Sequence, residues 1–336
     1  MGRLGSLKRR LRRFWPGRAG PRPVILMYHR VADLPYDPWQ LAVTPAHFEA
    51  QLEEIRRTRT PLDLATFVAR LAAGTLPRDA VALSFDDGYV DNLRAAEPRL
   101  AAAGIPATLF LTTSAVGRPE PFWWDELAHL ILDRTDGADL DLTVAAEPCR
   151  LRFAEPEPPD RDRRGWRAWE AARTRREAGY QALWRLIRDA PPSERERAMT
   201  VLRTALGGAG PARADERAMT AEEVRGMARR GTFAIGGHTV SHPALPTLAP
   251  AAQRREIADG KLAAEALAGR PVEGFAYPYG AMDESARRAV AESGFAWACS
   301  TVGTAVSGRR FERYALPRIA APDGDGGALA RALAAG

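Results

Sequence analysis

Residues 80–88 constrain this chain more than any other stretch. Ala80-Val81-Ala82-Leu83-Ser84-Phe85 is an apolar run rich in strand formers, and it ends in Asp86-Asp87-Gly88. Adjacent carboxylates repel each other, so a structural role alone is a poor reason to place two of them at a strand end. A cation removes the conflict: one carboxylate binds it and the other stays free as a base. Parallel α/β folds also gather functional residues at the carboxyl ends of their strands. Without further context the stretch reads equally well as a strand followed by an acidic cap for a helix at Asp91-Asn92-Leu93.

A second stretch shifts the balance. The apolar run Thr232-Phe233-Ala234-Ile235 leads into Gly236-Gly237-His238-Thr239-Val240-Ser241-His242-Pro243. Two histidines four residues apart can face one way and hold one divalent ion. Asp87 completes a set of two histidines and one carboxylate that leaves coordination positions open, as a hydrolytic metal requires. A third stretch, Phe275-Ala276-Tyr277-Pro278-Tyr279-Gly280, closes another strand with a rigid aromatic turn.

In this order the three stretches resemble the signatures of the polysaccharide deacetylase (NodB-homology) family, carbohydrate esterase family 4. The resemblance spans roughly residues 23 to 110 and 220 to 320. It implies a distorted (β/α) barrel and metal-dependent removal of N- or O-acetyl groups from a poly- or oligosaccharide, with N-acetyl groups foremost. Exopolysaccharide or cell-envelope glycan synthesis in a bacterium is the corresponding setting. By position, Asp86 matches the general base, and Asp87, His238 and His242 match the metal ligands. Tyr279 matches the residue whose backbone N–H helps hold the oxyanion and touches the substrate. The implied cofactor is one divalent ion, zinc in the first place, with cobalt, manganese and iron as alternatives.

Two departures from the family pattern stand out. The arginine expected before the Pro-Tyr turn is replaced by Ala276, so another group must orient Asp86. Arg318, near the end of a last strand through Tyr314-Ala315-Leu316-Pro317-Arg318-Ile319, is the candidate; the alternative is an ordinary surface salt bridge. The Leu-x-x-His signature that supplies the general acid is also absent, because Leu316-Pro317-Arg318-Ile319 holds no histidine. Leu26-Met27-Tyr28-His29, at the first strand, looks like a permuted branch of the family in which the acid-bearing strand comes first. His29 is therefore assigned as proton donor to the leaving amine, a task suited to a near-neutral pKa. His47 and His129 fall on predicted helices without evident partners and are read as structural.

Strands alternate with helices from residue 23 to 113 and again from 219 to 336, as in a parallel sheet. About a hundred residues separate these parts, far more than a barrel loop needs. Residues 114–218 are accordingly read as an inserted, mostly helical subdomain. It comprises a helix from Phe122 through Leu132, a small hairpin (Leu140–Val144 with Arg150–Phe153), and charged helices over Arg161–Arg188 and Ser193–Leu206. Trp123 and Trp124 suit either a sugar-stacking platform or a hydrophobic pin between insert and barrel.

Net charge is +6 and the pI is about 9.7, which favours an acidic partner. An acetylated glycan, a lipid-linked oligosaccharide and an anionic membrane all qualify, although base-composition bias would also enrich arginine. No zinc-finger spacing or aromatic-interleaved basic motif points to nucleic acid. Residues 1–22 form a basic tail in which Leu4, Leu7, Leu11, Phe14 and Trp15 recur at helical spacing. It lacks the apolar core of a signal peptide and reads as a membrane-surface helix or a solvated tail. The location expected is cytoplasmic, with peripheral contact at the inner membrane. Cys149 and Cys299 form no motif and read as structural thiols. Two other functions fit the same residues: a metal amidohydrolase acting on a non-sugar amide, and a catalytically impaired barrel that binds glycan.

Overall fold

The computed structural model describes residues 20–133, 139–144, 147–153, 165–208, 216–306 and 311–336. The basic tail thus lies largely outside the described residues. In chain order the elements are β1 (Val24–Tyr28), β2 (Arg30–Val31), β3 (Ala42–Val43), α1 (Pro45–Thr58), β4 (Thr60–Pro61), α2 (Leu64–Ala72), β5 (Ala80–Phe85) and α3 (Glu97–Ala103). Next come β6 (Ala107–Leu111), α4 (Trp123–Leu132), β7 (Leu140–Val144), β8 (Glu147–Leu151), α5 (Arg175–Asp189) and α6 (Pro192–Leu206). The remainder is α7 (Ala221–Arg230), β9 (Phe233–Gly237), α8 (Pro250–Ala268), β10 (Gly274–Ala276), α9 (Glu284–Glu292), β11 (Trp297–Cys299), β12 (Ile319–Ala320) and α10 (Gly326–Ala335).

The main sheet is all parallel, in the order β11-β10-β9-β6-β5-β1-β12, with β4 added beside β5. Its strands are short apolar runs buried on both faces, as helices on the outside of a curled sheet require; β5 and β6 are buried throughout. The sheet is open between its edge strands, but the gap is partly sewn. Ser300 N–H donates to the Leu316 carbonyl and Leu316 N–H to that of Ala298, both at 2.8 Å. The segment leading into β12 therefore bonds to β11 before β12 pairs with β1 at Leu26 and Ile319. The result is a distorted (β/α) half-barrel with a large helical addition.

That addition has its own hydrophobic cluster. Leu127, Ile131, Tyr180, Leu183, Ile187 and Met199, from α4, α5 and α6, form its centre, and β7 and β8 pair as an antiparallel hairpin against it. Tyr89, from the turn after β5, is part of the same cluster. The first charged helix differs from expectation: it begins at Arg175 rather than Arg161. Thr174 accepts from the Glu177 N–H while Glu177 reaches back to Thr174, a capping box that starts a helix at that point. Residues 161–164 lie outside the described residues. The stretch Asn92–Ala96 is a wider π-type turn that precedes α3. Cys149 and Cys299 are both buried free thiols.

Candidate metal centre

Each candidate ligand leaves a strand at the same end of the sheet. Asp86 and Asp87 follow β5, His238 and His242 follow β9, Tyr279 follows β10, and His29 follows β1. The turn after β5 needs unusual backbone. Asp87 has φ 75° and Gly88 φ 100°, and a Cβ on Gly88 would come within 2.5 Å of the Leu111 side chain. Glycine is the residue that fits there. The exit of β1 is fixed against the next turn: Asn92 donates to the His29 carbonyl at 2.8 Å, and buried Arg30 pairs with Asp91 at 2.9 Å.

Asp87, His238 and His242 converge, with one possible ligand atom from each lying within 4.8 Å of the others. Asp87 Oδ1 is 3.6 Å from His238 Nε2 and 3.4 Å from His242 Nε2, and it is buried without a hydrogen-bond partner. The His238 ring is tied through Nδ1 to the Ala276 carbonyl at 2.7 Å, which makes Nδ1 the donor and leaves the Nε2 lone pair free. Burial, then the neighbouring Asp86 and Asp125 charges, push the Asp87 carboxyl well above its ordinary value. Burial pushes both histidines down, His242 further still because of His238 and Arg195. Two neutral imidazoles around an orphaned buried carboxylate are a donor set that a dication suits, because it offsets the burial and the repulsion together. This trio therefore binds a divalent metal.

Asp86 sits beside the trio in a different environment. Arg318 grips it with two bonds, Nη1 to Oδ1 at 2.7 Å and Nη2 to Oδ2 at 2.8 Å, while Arg318 Nε donates to the Ser300 carbonyl at 2.9 Å. Arg318 is fully buried, so this is no surface salt bridge. Burial raises the Asp86 carboxyl, but the charge of Arg318 and then that of His238 outweigh it and hold it at about 2. The sewn gap between β11 and β12 carries Arg318 to this point.

His29 lies with Nε2 3.9 Å from Asp86 Oδ2 and is about one-fifth exposed. Burial, opposed by Asp86 and reinforced by Arg318, brings it down to about 4, so the resting imidazole is neutral at neutral pH. Tyr279 occupies a left-handed position, φ 58°, in the Pro278–Gly280 turn, and its ring meets the His242 ring edge-on at 4.5 Å.

These residues floor a cavity of about 300 Å³ with aromatic walls. Trp124 is in the wall 4.8 Å from the His242 ring, stacked on Phe122, and its Nε1 donates to Tyr89 Oη at 2.7 Å. Trp123 does not line this cavity but a neighbouring pocket that it shares with Arg195, and its ring packs on those of Trp124 and Trp184. Trp39 and Trp184, stacked at 3.9 Å, and Arg188 also line the same cavity as Trp124. These three were missed in the sequence, and only the density of tryptophan hinted at them. His129 is not without partners: it reaches Asp133 at 2.7 Å and Glu216 at 2.8 Å, while His47 meets Asp323 at 2.7 Å. Neither lines the cavity.

Comparison with known proteins agrees with this geometry. Among solved structures, a Streptococcus pyogenes deacetylase, PplD, in complex with acetate superposes with a TM-score of 0.59 at 16% identity, over 94% of this chain and 99% of that one. IcaB from Ammonifex degensii gives 0.57 at 17% identity, over 94% and 98%. A de-N-acetylase from Aggregatibacter actinomycetemcomitans gives 0.57 at 16%, over 93% and 99%. At such identities the likeness establishes the shared fold. No curated protein matches the sequence. The polysaccharide deacetylase family model matches residues 73–135 and 204–298, which contain Asp86, Asp87, His238, His242 and Tyr279 but neither His29 nor Arg318. With that two-part match laid over the convergent metal trio, the chain belongs to the polysaccharide deacetylase family.

Proposed function

We propose that this protein is a metal-dependent hydrolase that removes acetyl groups, N-acetyl foremost, from a poly- or oligosaccharide. One observation carries the reading: the Asp87–His238–His242 trio lies beside an ionised, arginine-held Asp86 at the floor of an aromatic-walled cavity. A dication held by the trio supplies Lewis-acid polarisation of the acetyl carbonyl and acidification of water. Zinc suits two imidazoles and a carboxylate, with cobalt, manganese and iron as alternatives.

The chain's own groups then divide the remaining work. Asp86 accepts the proton of the attacking water, and Arg318 keeps it ionised and oriented. With a pKa of about 2, Asp86 is a weak base that passes its proton on readily. His29, neutral at rest and 3.9 Å away, is placed to receive that proton and deliver it to the departing amine. The Tyr279 backbone N–H is the proposed oxyanion donor, worth about 3 kcal/mol if removed. Trp124, Trp39 and Trp184 offer apolar faces to a pyranose ring, and Trp123 bears on it only through packing. An impaired, binding-only barrel would not need the Asp86–Arg318 pair.

The substrate proposed is an acetylated glycan, free or lipid-linked. Cytoplasmic location with peripheral membrane contact through residues 1–22 is part of the same proposal and rests on the spacing of the tail. No described helix is long and apolar enough to cross a membrane. The division into tail (1–22), barrel parts (23–113 and 219–336) and insert (114–218) is also proposed, supported by a hydrophobic cluster centred on α4 to α6, which Tyr89 joins from the barrel. The test is acetate release, with metal analysis, across N- and O-acetylated oligosaccharides and a non-sugar acetamide. Release from the sugars is expected. Metal-loaded protein that releases acetate only from the non-sugar amide, or from nothing, refutes the reading.

A further inference from the structure

We infer that Arg195, on α6, is a positioning residue for the metal ligand His242, so that the long segment after β6 forms part of the metal centre. The inference rests on the reading that Asp87, His238 and His242 hold the ion.

The two histidines are secured differently. His238 is held through its ring, by the bond from Nδ1 to the Ala276 carbonyl. The Nδ1 of His242 is buried and has no hydrogen-bond partner among the described residues. Ring contacts with Tyr279, Trp124 and His238 enclose it without fixing its tilt. The direction of its Nε2 therefore depends on its backbone. That backbone is itself strained, with φ 65° at Thr239 and φ 56° at His242. Left-handed positions in non-glycine residues cost on the order of 1 kcal/mol or more each and persist only when neighbours hold them.

Arg195 and Glu256 are those neighbours. Arg195 Nη1 donates to the His242 carbonyl at 3.1 Å, and Nη2 donates to the Ser241 carbonyl. From the other side the Glu256 carboxylate, on α8, accepts from Val240 N–H at 3.0 Å, Ser241 N–H at 2.9 Å and Ser241 Oγ at 2.6 Å. The peptide dipoles of the turn are thus aligned between a cation at their carbonyls and an anion at their amides.

The position of Arg195 makes little sense otherwise. It is buried, it lies in the first turn of α6 where a cation opposes the helix dipole, and no carboxylate among the described residues pairs with it directly. A guanidinium presents its donors in a fixed planar fork that spans two adjacent carbonyls, whereas a lysine ammonium is a point charge on a flexible stem.

The test is zinc affinity of the full chain by chelator competition, with melting of the metal-free forms. Arg195→Met is expected to weaken zinc binding ~10–100-fold, the usual effect of losing an outer support of a ligand. Arg195→Lys, which keeps the charge and one donor direction, should fall between. Arg203→Met removes the ion pair from the same helix to Glu126 and should lower melting while binding zinc as the wild type does. Wild-type zinc affinity in Arg195→Met, or an equal loss in Arg203→Met, overturns the inference. If Arg195→Met fails to fold, Arg195→Lys decides: weaker zinc binding at unchanged metal-free melting supports the role, and unchanged binding rejects it. His242→Ala separates the two layers. If it too binds zinc normally, the assignment of the trio fails; if it loses zinc while the Arg195 variants keep it, only the positioning role fails.

Discussion

Arg318→Met is the sharpest probe of the base. Asp86 and Arg318 share two bonds of 2.7 and 2.8 Å, with side chains 3% and 0% exposed. Removing one partner of a buried pair typically costs about 3–5 kcal/mol, because the other charge stays buried and uncompensated. At about 1.36 kcal/mol per pKa unit, that raises the Asp86 pKa by about 2–4. In the wild type the depressed pKa contributes stability that is present above the unfolded value, about 4, and is lost as pH falls towards 2. In the variant the sign reverses. A carboxyl raised above its unfolded value destabilises progressively as pH climbs from about 4 to its new pKa. Two measurements follow. Melting of the metal-free proteins should show a wider gap between wild type and variant at pH 7.5 than at pH 4.5. The acid limb of the pH–rate profile for acetate release at saturating metal, set near pH 4 in the wild type by His29, should move upward into the range of about pH 4 to 6 in the variant. A variant that keeps its metal and shows neither change would refute the claim that Arg318 holds Asp86 ionised.

Other outcomes test the remaining roles. His238→Ala and His242→Ala should each lose most bound metal, whereas Asp86→Asn should keep it and release no acetate; metal analysis beside an acetate assay separates them. His29→Ala should retain metal and slow N-deacetylation ~10²-fold or more, with a smaller loss on an acetyl ester whose phenolic leaving group needs little protonation. An equal loss on both substrates would remove His29 from the proton path. Trp124→Ala should lower stability by about 3–5 kcal/mol in denaturant melts, because it empties a buried site and strips Tyr89 of a donor. Trp123→Ala, at a half-buried site, should cost less, and the reverse order would contradict the packing described.

Much of the frame could be read from local pattern. An apolar run ending in Asp86-Asp87-Gly88, and another ending in His238 and His242, place their polar ends together whenever strands run parallel, so spacing alone was informative. The Ala276 replacement signalled that Asp86 needed another partner, but nothing near Arg318 announced the partnership. Its contact with Asp86 depends on how the sheet edges meet, which is a property of the closed chain. Trp39, Trp184 and Arg188 escaped notice for the same reason: they sit in a connection and on a distant helix, each unremarkable locally. The start of α5 was misplaced because a run of charged residues looks helical by composition, whereas the Thr174–Glu177 capping box decides where the helix begins. Of the two partners of His129, Asp133 lies one helical turn on and was within reach of the sequence, whereas Glu216 is far away along the chain.

The sewn gap has a consequence for how the protein comes into being. Chains are made from the amino end, so Asp87, His238 and His242 all exist before residues 313–320 emerge. Until that segment docks, β1 lacks the neighbour it meets at Ile319, and Asp86 lacks the guanidinium that grips it. Gln51, on α1, likewise waits for the Pro322 and Gly324 carbonyls. A product halted before Arg313 would carry every metal ligand yet could not settle its base. Contacts this distant in sequence also carry a loop-closure cost that slows folding. The order of synthesis therefore separates the two halves of the chemistry in time: the last metal ligand is made before the arginine that holds the base.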